Sequence, residues 1–148
     1  LKESEHKKIV LVGQPNCGKS TLFNKVAGYR SISSNFPGVT VSFTQSHIKI
    51  GDQTFDLIDL PGIYSLTSFD ETAKEAQRYL INENVDVIIN VVDASVLARS
   101  LDLTLQLLKL NIPMVLCLNM IDEAERKGVI INADALSEHL GIPVIKTI

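Results

Sequence analysis

The run Gly13-Gln14-Pro15-Asn16-Cys17-Gly18-Lys19-Ser20 fits the pattern G-x-x-x-x-G-K-[ST]. It stands between an apolar stretch at residues 8–12, which reads as a buried strand, and residues 19–27, where Leu22, Phe23 and Val26 share one helical face before Gly28 ends the helix. A glycine-rich turn in that setting lets backbone N–H groups from Asn16 to Ser20 converge on phosphate oxygens at the positive end of the helix. Lys19 is then placed to reach the β- and γ-phosphates, and the Ser20 hydroxyl to ligate Mg²⁺. The expected phosphate-binding set is Gly13, Asn16, Cys17, Gly18, Lys19, Ser20 and Thr21. The bland alternative is a chance Gly-rich turn.

The rest of the chain alternates β and α. Residues 29–40 show no periodicity and hold Ser31, Ser33, Ser34, Asn35, Pro37 and Gly38, so they read as a loop. Residues 41–50 and 54–58 flank Gly51-Asp52-Gln53, the pattern of a hairpin with a three-residue turn. Residues 70–82 are helical, with Ala73, Ala76, Tyr79 and Leu80 at helical spacing. Residues 85–92 and 113–118 are nearly continuous apolar runs, as for strands covered on both faces, and residues 97–110 form an amphipathic helix between them. A short helix at 133–140 and a strand at 144–147 close the chain. The pattern predicts an α/β fold in one domain over residues 1–148: a mostly parallel sheet with one antiparallel edge strand and helices on both faces. Ligand sites in such sheets lie at the carboxyl ends of the strands.

Three further polar groups fall at those ends. Asp59-Leu60-Pro61-Gly62 follows the strand at 54–58. An acid there can hold Mg²⁺, usually through water, and Gly62 lets the backbone approach a γ-phosphate. Alone, the pattern is equally a plain turn. Asn119-Met120-Ile121-Asp122 follows the strand at 113–118. The Asp122 carboxylate could accept from N1–H and the 2-amino group of guanine while Asn119 braces the loop, or the pair could be a helix N-cap. Thr40, after Gly38 and Val39, could complete the Mg²⁺ shell and meet the γ-phosphate, or simply start a strand.

Composition sets outer limits. A net charge of −3 with scattered Lys and Arg argues against a nucleic-acid surface, and Lys2, Lys7 and Lys8 read as a solvated N-terminal group. No apolar run approaches the ~20 residues of a membrane helix. Cys17 and Cys117 are too few for a disulfide framework, and no secretory signal stands out, so a soluble chain in a reducing compartment is expected. The start at Leu1 rather than Met suggests a trimmed chain. His6, His47 and His139 lie far apart with no Cys or His partner at metal spacing, so no metal role is expected for them. Asp70, Glu71 and Glu75 read as the acidic first turns of a helix, and Cys117 as a core residue. Cys17, at a helix N-terminus, could have a lowered thiol pKa and oxidise, or it could simply fill a loop position that tolerates many residue types.

These motifs in this order resemble the translation-factor-related class of small G proteins, and their wording resembles one family, ferrous-iron transport protein B. Asn35-Phe36-Pro37-Gly38-Val39-Thr40-Val41 is similar to its first switch, and Asp59-Leu60-Pro61-Gly62-Ile63-Tyr64-Ser65-Leu66 to its second. Residues 98–108 and 118–124 are similar to later family segments. The resemblance implies a P-loop GTPase, a Ras-like G domain that binds GTP and GDP with Mg²⁺ and hydrolyses GTP slowly. It implies a place on the cytoplasmic face of the inner membrane, beside helical and transmembrane domains of the same full-length protein that conduct iron, and it leaves room for a homo-oligomer. Related G proteins with Pro-Asn-x-Gly-Lys are potassium-activated, so the Asn16 carbonyl is a candidate K⁺ ligand; the alternative is that Asn16 only shapes the turn.

Three departures from the general G-protein pattern stand out. Met120 replaces the Lys that usually lies over the base, which predicts weaker binding. Ile63 occupies the position where many G proteins carry a water-orienting Gln, so catalysis must draw on backbone groups, ions or another residue such as Lys19, Thr40, Gly62 or Asn16. Thr147 stands with the base-binding residues at the chain end, and the guanine-carbonyl loop and C-terminal helix are expected beyond Ile148. Two alternatives remain at this point: a ribosome-assembly or tRNA-modifying G protein, whose first switch typically reads Pro-Gly-Thr-Thr-Arg, and a non-catalytic nucleotide sensor.

Overall fold

The computed structural model describes residues 6–28 and 31–148. The elements run β1 (Lys7–Gly13), α1 (Lys19–Ala27), β2 (Ser31–Asn35), β3 (Ser42–Ile50), β4 (Gln53–Asp59) and α2 (Glu71–Asn82). They continue with β5 (Val87–Asp93), α3 (Leu97–Leu108), β6 (Met114–Asn119), α4 (Ile121–Arg126), α5 (Ala133–Leu140) and β7 (Val144–Lys146). The strands make one seven-stranded sheet in the order β2-β3-β4-β1-β5-β6-β7.

Pairs β4–β1, β1–β5, β5–β6 and β6–β7 are parallel, and β3 runs against β4. One strand is thus antiparallel, as the βα alternation implies, but it is not the edge. The stretch read as a loop contains β2, which pairs with β3 from Ser31↔Ser46 to Asn35↔Ser42 and lies outside it. Ser31, Ser33 and Asn35 are exposed, so no apolar alternation marks this strand. Its order comes from backbone bonds to β3. Tyr29 and Lys2 lie outside the described residues. The hairpin turn is also tighter than its sequence suggests: Gln53 pairs directly with Ile50, which leaves Gly51-Asp52 as the turn.

Alternation along the strands divides the core between the two faces of the sheet. Val10, Val12, Ile58 and Ile88 pack with Ala73, Ala76 and Leu80 of α2 and with Leu103 and Leu107 of α3. Val92, Leu116 and Leu118 extend that face toward Leu136 and Leu140 of α5. On the opposite face Leu11 and Leu57 meet Phe23 of α1, and Val91 packs with Cys17 and Cys117. The helix α2 starts at Glu71 because Asp70 caps it, accepting from the Ala73 N–H at 2.8 Å. The six-residue α4 is too short to show a period, and sequence reasoning misses it.

Candidate functional site

The strand β1 is flanked on both sides, by β4 and β5, so the loop that leaves it at Gly13 rises from the middle of the sheet. Two left-handed residues, Asn16 (φ 66°) and Gly18 (φ 87°), fold that loop over the start of α1. Gly18 is the N-cap of α1, and no side chain caps it. The first N–H groups of a helix have no intrahelical partner, so this terminus keeps its donors for a ligand. A cavity of about 250 Å³ lies there, lined by residues 14–21 and by Gly62.

Lys19 is buried, and its ammonium is ion-paired with Asp59, the last residue of β4. The same Nζ donates to the Leu60 carbonyl at 2.5 Å. The segment after β4 is pinned in turn, since Leu60 N–H donates to Leu11 O at 3.3 Å and Ile63 N–H to Gly13 O at 3.0 Å. A Cβ on Gly62 would sit 2.9 Å from both N and Cα of Pro15, so only glycine lets this segment lie against the phosphate loop. Ile63 turns its side chain into the core at 4% exposure and spends its N–H on Gly13. Neither group is left to direct water.

Oxygen donors suited to a hard cation gather at this end. The Ser20 hydroxyl is exposed in the first turn of α1, and Asp59 reaches the neighbouring Lys19. That donor set fits Mg²⁺. Thr40 is exposed, in a turn closed by Phe36 N–H to Val41 O at 2.9 Å. Among the described residues lining the cavity, Gly38, Val39 and Thr40 are not included.

The second polar group forms a tie rather than a cap. Asn119 Nδ2 donates to the Cys17 carbonyl at 3.0 Å, and Thr147 Oγ1 donates to Asn119 Oδ1 at 2.9 Å. Thr147 is itself anchored by its N–H to Leu118 O at 2.8 Å and lies 3.2 Å from Cys117 Sγ. Met120, in the left-handed region at φ 60°, is the N-cap of α4, and no side chain caps that helix. Neither Asn119 nor Asp122 serves as the cap. Asp122 is exposed in the first turn of α4, 3.5 Å from Arg126 Nη2.

One expectation is reversed, and one wide separation in sequence is closed in space. Cys17 is buried at 2% exposure, and burial pushes its thiol above the ordinary value, outweighing the nearby backbone N–H groups and the Lys19 charge that lower it. Its side chain packs with Val91 and Cys117. His6 and His47, far apart in sequence, both come to Asp56: their Nδ1 atoms lie 3.1 and 2.6 Å from its Oδ1. Sequence spacing along one chain segment cannot reveal partners on neighbouring strands.

Other polar residues escaped notice. Gln106 on α3 accepts from Leu66 N–H at 2.7 Å and donates to Ser65 Oγ at 2.9 Å, holding the segment after Gly62. Asn90, fully buried in β5, donates to Val12 O at 3.1 Å and accepts from Thr104 Oγ1 at 2.6 Å, bracing β1 where it enters the loop. An amide inside an apolar strand was the available signal, since such a group needs partners.

A sequence model of the family described as Ferrous iron transport protein B matches residues 7–148. The Fe(2+) transporter FeoB of Escherichia coli (strain K12) is 48% identical over 141 residues, a match covering 93% of this chain and 18% of that protein. The chain therefore spans under a fifth of the length of such curated relatives. A GDP-bound mutant of S. thermophilus NFeoB superposes with a TM-score of 0.89 at 45% identity, covering 95% of this chain and 55% of that one. The G domain of the T. maritima FeoB iron transporter superposes with a TM-score of 0.89 at 38% identity, covering 97% and 87%.

Proposed function

The chain belongs to the ferrous iron transport protein B family, and from that premise we propose that it is the part of a ferrous-iron transporter that binds and hydrolyses GTP on the cytoplasmic face of the inner membrane. The observation that carries the reading is the convergence of Lys19, Asp59 and Gly62 beneath the uncapped start of α1. Among the described residues no helix is long and apolar enough to cross a membrane; we assign the iron path to helical and transmembrane segments of the full-length protein. In this reading a second copy of the chain is an admissible partner and nucleic acid is not.

The roles follow from placement. Backbone N–H groups from Asn16 to Thr21 receive the phosphates, with Gly13 shaping the turn. A triphosphate engages Lys19 by drawing its ammonium away from Asp59, which frees that carboxylate to face a cation. Ser20, Asp59 and, once its turn closes, Thr40 would hold Mg²⁺, which supplies positive charge to the β- and γ-phosphate oxygens. Thr40, Val39 and Gly38 must move to do so, in keeping with a switch ordered by the γ-phosphate. Gly62 presents its backbone to the γ-phosphate as water attacks in line, and Lys19 offsets the developing charge. Asp122 reads N1–H and the 2-amino group of guanine, Met120 lies along the base, and Asn119 with Thr147 holds the base loop to the phosphate loop. The exposed Asn16 carbonyl would hold K⁺ beside the phosphates.

A second reading, a nucleotide sensor without turnover, is favoured by one observation: Ile63 commits both its side chain and its N–H to the fold. Single-turnover GTP hydrolysis with phosphate detection separates the two. The wild type should release phosphate in Mg²⁺, and Lys19→Ala should slow release by about 10²-fold or more. GTP binding with no phosphate release would leave the sensor.

A further inference from the structure

At the end of β1 and β4 remote from the phosphate loop, three strands assemble a cluster that the GTPase reading does not use. Asp56 stands opposite His47 of β3 and opposite Lys8 of β1 in register, and His6 immediately precedes β1. Asp56 lies three residues before Asp59 on β4, a separation of ~10 Å at ~3.3 Å per residue. Asp56 is buried at 7% exposure, while both histidines are exposed. The imidazole rings meet edge to face with centroids 5.4 Å apart, and one ligand atom from each of the three residues lies within 4.8 Å of the others.

We propose that His6, His47 and Asp56 form a binding site for a divalent first-row transition ion, with two imidazole nitrogens, one carboxylate oxygen and solvent as ligands. The donor set decides the class of ion. Mg²⁺ and Ca²⁺ select all-oxygen shells, whereas imidazole with a carboxylate suits Zn²⁺, Co²⁺, Ni²⁺ or Fe²⁺. The spacing agrees. Metal–ligand bonds of ~2.0–2.2 Å at tetrahedral angles put ligand atoms roughly 3.3–3.5 Å apart. His47 and Asp56, now at 2.6 Å, would open by under about 1 Å, and His6, now at 3.1 Å, would move less. Direct strand pairing already holds His47 and Asp56 side by side, so little ordering is needed on binding. Lys8, the cation opposite Asp56, is turned to Glu83 at 3.0 Å and over the Tyr79 ring at 5.8 Å. The exposed imidazoles leave the ion a solvent-facing side. The competing account is a hydrogen-bonded trio that only fixes β3 on β4, and it predicts no metal affinity.

Untagged protein titrated with Co²⁺ tests the site through the visible absorption of the bound ion, with Zn²⁺ calorimetry giving the stoichiometry. One Co²⁺ per chain, displaced by Zn²⁺, is expected, with His6→Ala and His47→Ala each weakening affinity at least about tenfold. Both side chains are exposed, so these variants should keep the wild-type circular dichroism and GTP affinity. Asp56→Asn should abolish binding if it folds. No saturable site in the wild type, or equal affinity in the double variant His6→Ala/His47→Ala, overturns the proposal.

Discussion

Asn119, the last residue of β6, donates its side-chain amide to the carbonyl of Cys17 in the phosphate loop at 3.0 Å, across 102 positions of sequence. With Thr147 on its other side, this amide joins the phosphate loop, β6 and the chain end in one network. Gly18 is held close beneath it, since a Cβ there would run into the Asn119 amide.

Asn119→Ala leaves the Cys17 carbonyl and the Thr147 hydroxyl without this partner. A lost buried hydrogen bond with a stranded group costs about 1–3 kcal/mol. Urea unfolding should show that loss, and GTP affinity should fall by roughly ten- to a hundredfold because both ends of the nucleotide site loosen together. An unchanged unfolding midpoint would show that the tie carries no energy.

Asp122→Asn is expected to change base preference while leaving stability alone, because Asp122 is exposed and its contact with Arg126 is a weak surface pair. One acceptor becomes a donor, which suits the 2-oxo group of xanthine and opposes the 2-amino group of guanine. XTP should overtake GTP in competition with a fluorescent analogue. Equal GTP affinity in both proteins would sink the base-reading role.

Gly62→Ala forces a methyl group to within 2.9 Å of the Pro15 backbone. Such overpacking costs typically about 1–3 kcal/mol, and here it pushes the segment after β4 off the phosphate loop. Hydrolysis should drop more steeply than GTP binding, read from single-turnover rates beside equilibrium titration. Wild-type turnover in this variant would remove Gly62 from the site.

Both cysteines are buried, and burial raises both thiols above their ordinary value. A thiol with a raised folded pKa contributes stability fully below the unfolded value, 9.0, and loses it as pH climbs through the folded one. Stability to urea should therefore decline on the alkaline side of pH 9.0, and less so in Cys17→Ala. Native protein at pH 7 should react with a thiol reagent far more slowly than unfolded protein. Rapid labelling of Cys17 in the native state would contradict its burial.

Asn16 sits at φ 66° with its side chain exposed at the rim of the cavity. If its carbonyl holds K⁺, hydrolysis should be faster in K⁺ than in Na⁺ at equal ionic strength. Asn16→Ala should erase the difference and spare GTP binding, while Asn16→Gly, which also accepts a positive φ, isolates the backbone role. A rate indifferent to K⁺ in the wild type would falsify the ion site.

The α/β alternation, the helices α1, α2, α3 and α5, and the contiguous run from Gly13 to Ser20 were legible in the amino-acid order alone. Each is a local pattern: periodicity of apolar residues, or a turn whose glycines and flanking elements lie within a few residues. What stayed hidden depends on how strands align. The polar β2 exists because β3 offers it backbone partners, and Asn119 reaches Cys17 because β6 and β1 flank β5. His47 meets Asp56 because the turn Gly51-Asp52 sets the hairpin register, and His6 arrives because β1 lies beside β4. The direction a side chain faces was equally out of reach. Cys17 belongs to a helix N-terminus by position and to the core by packing, and burial decides its pKa against the backbone and charge effects expected there. Local order follows from residues a turn apart, whereas register and burial are settled only when the whole sheet closes.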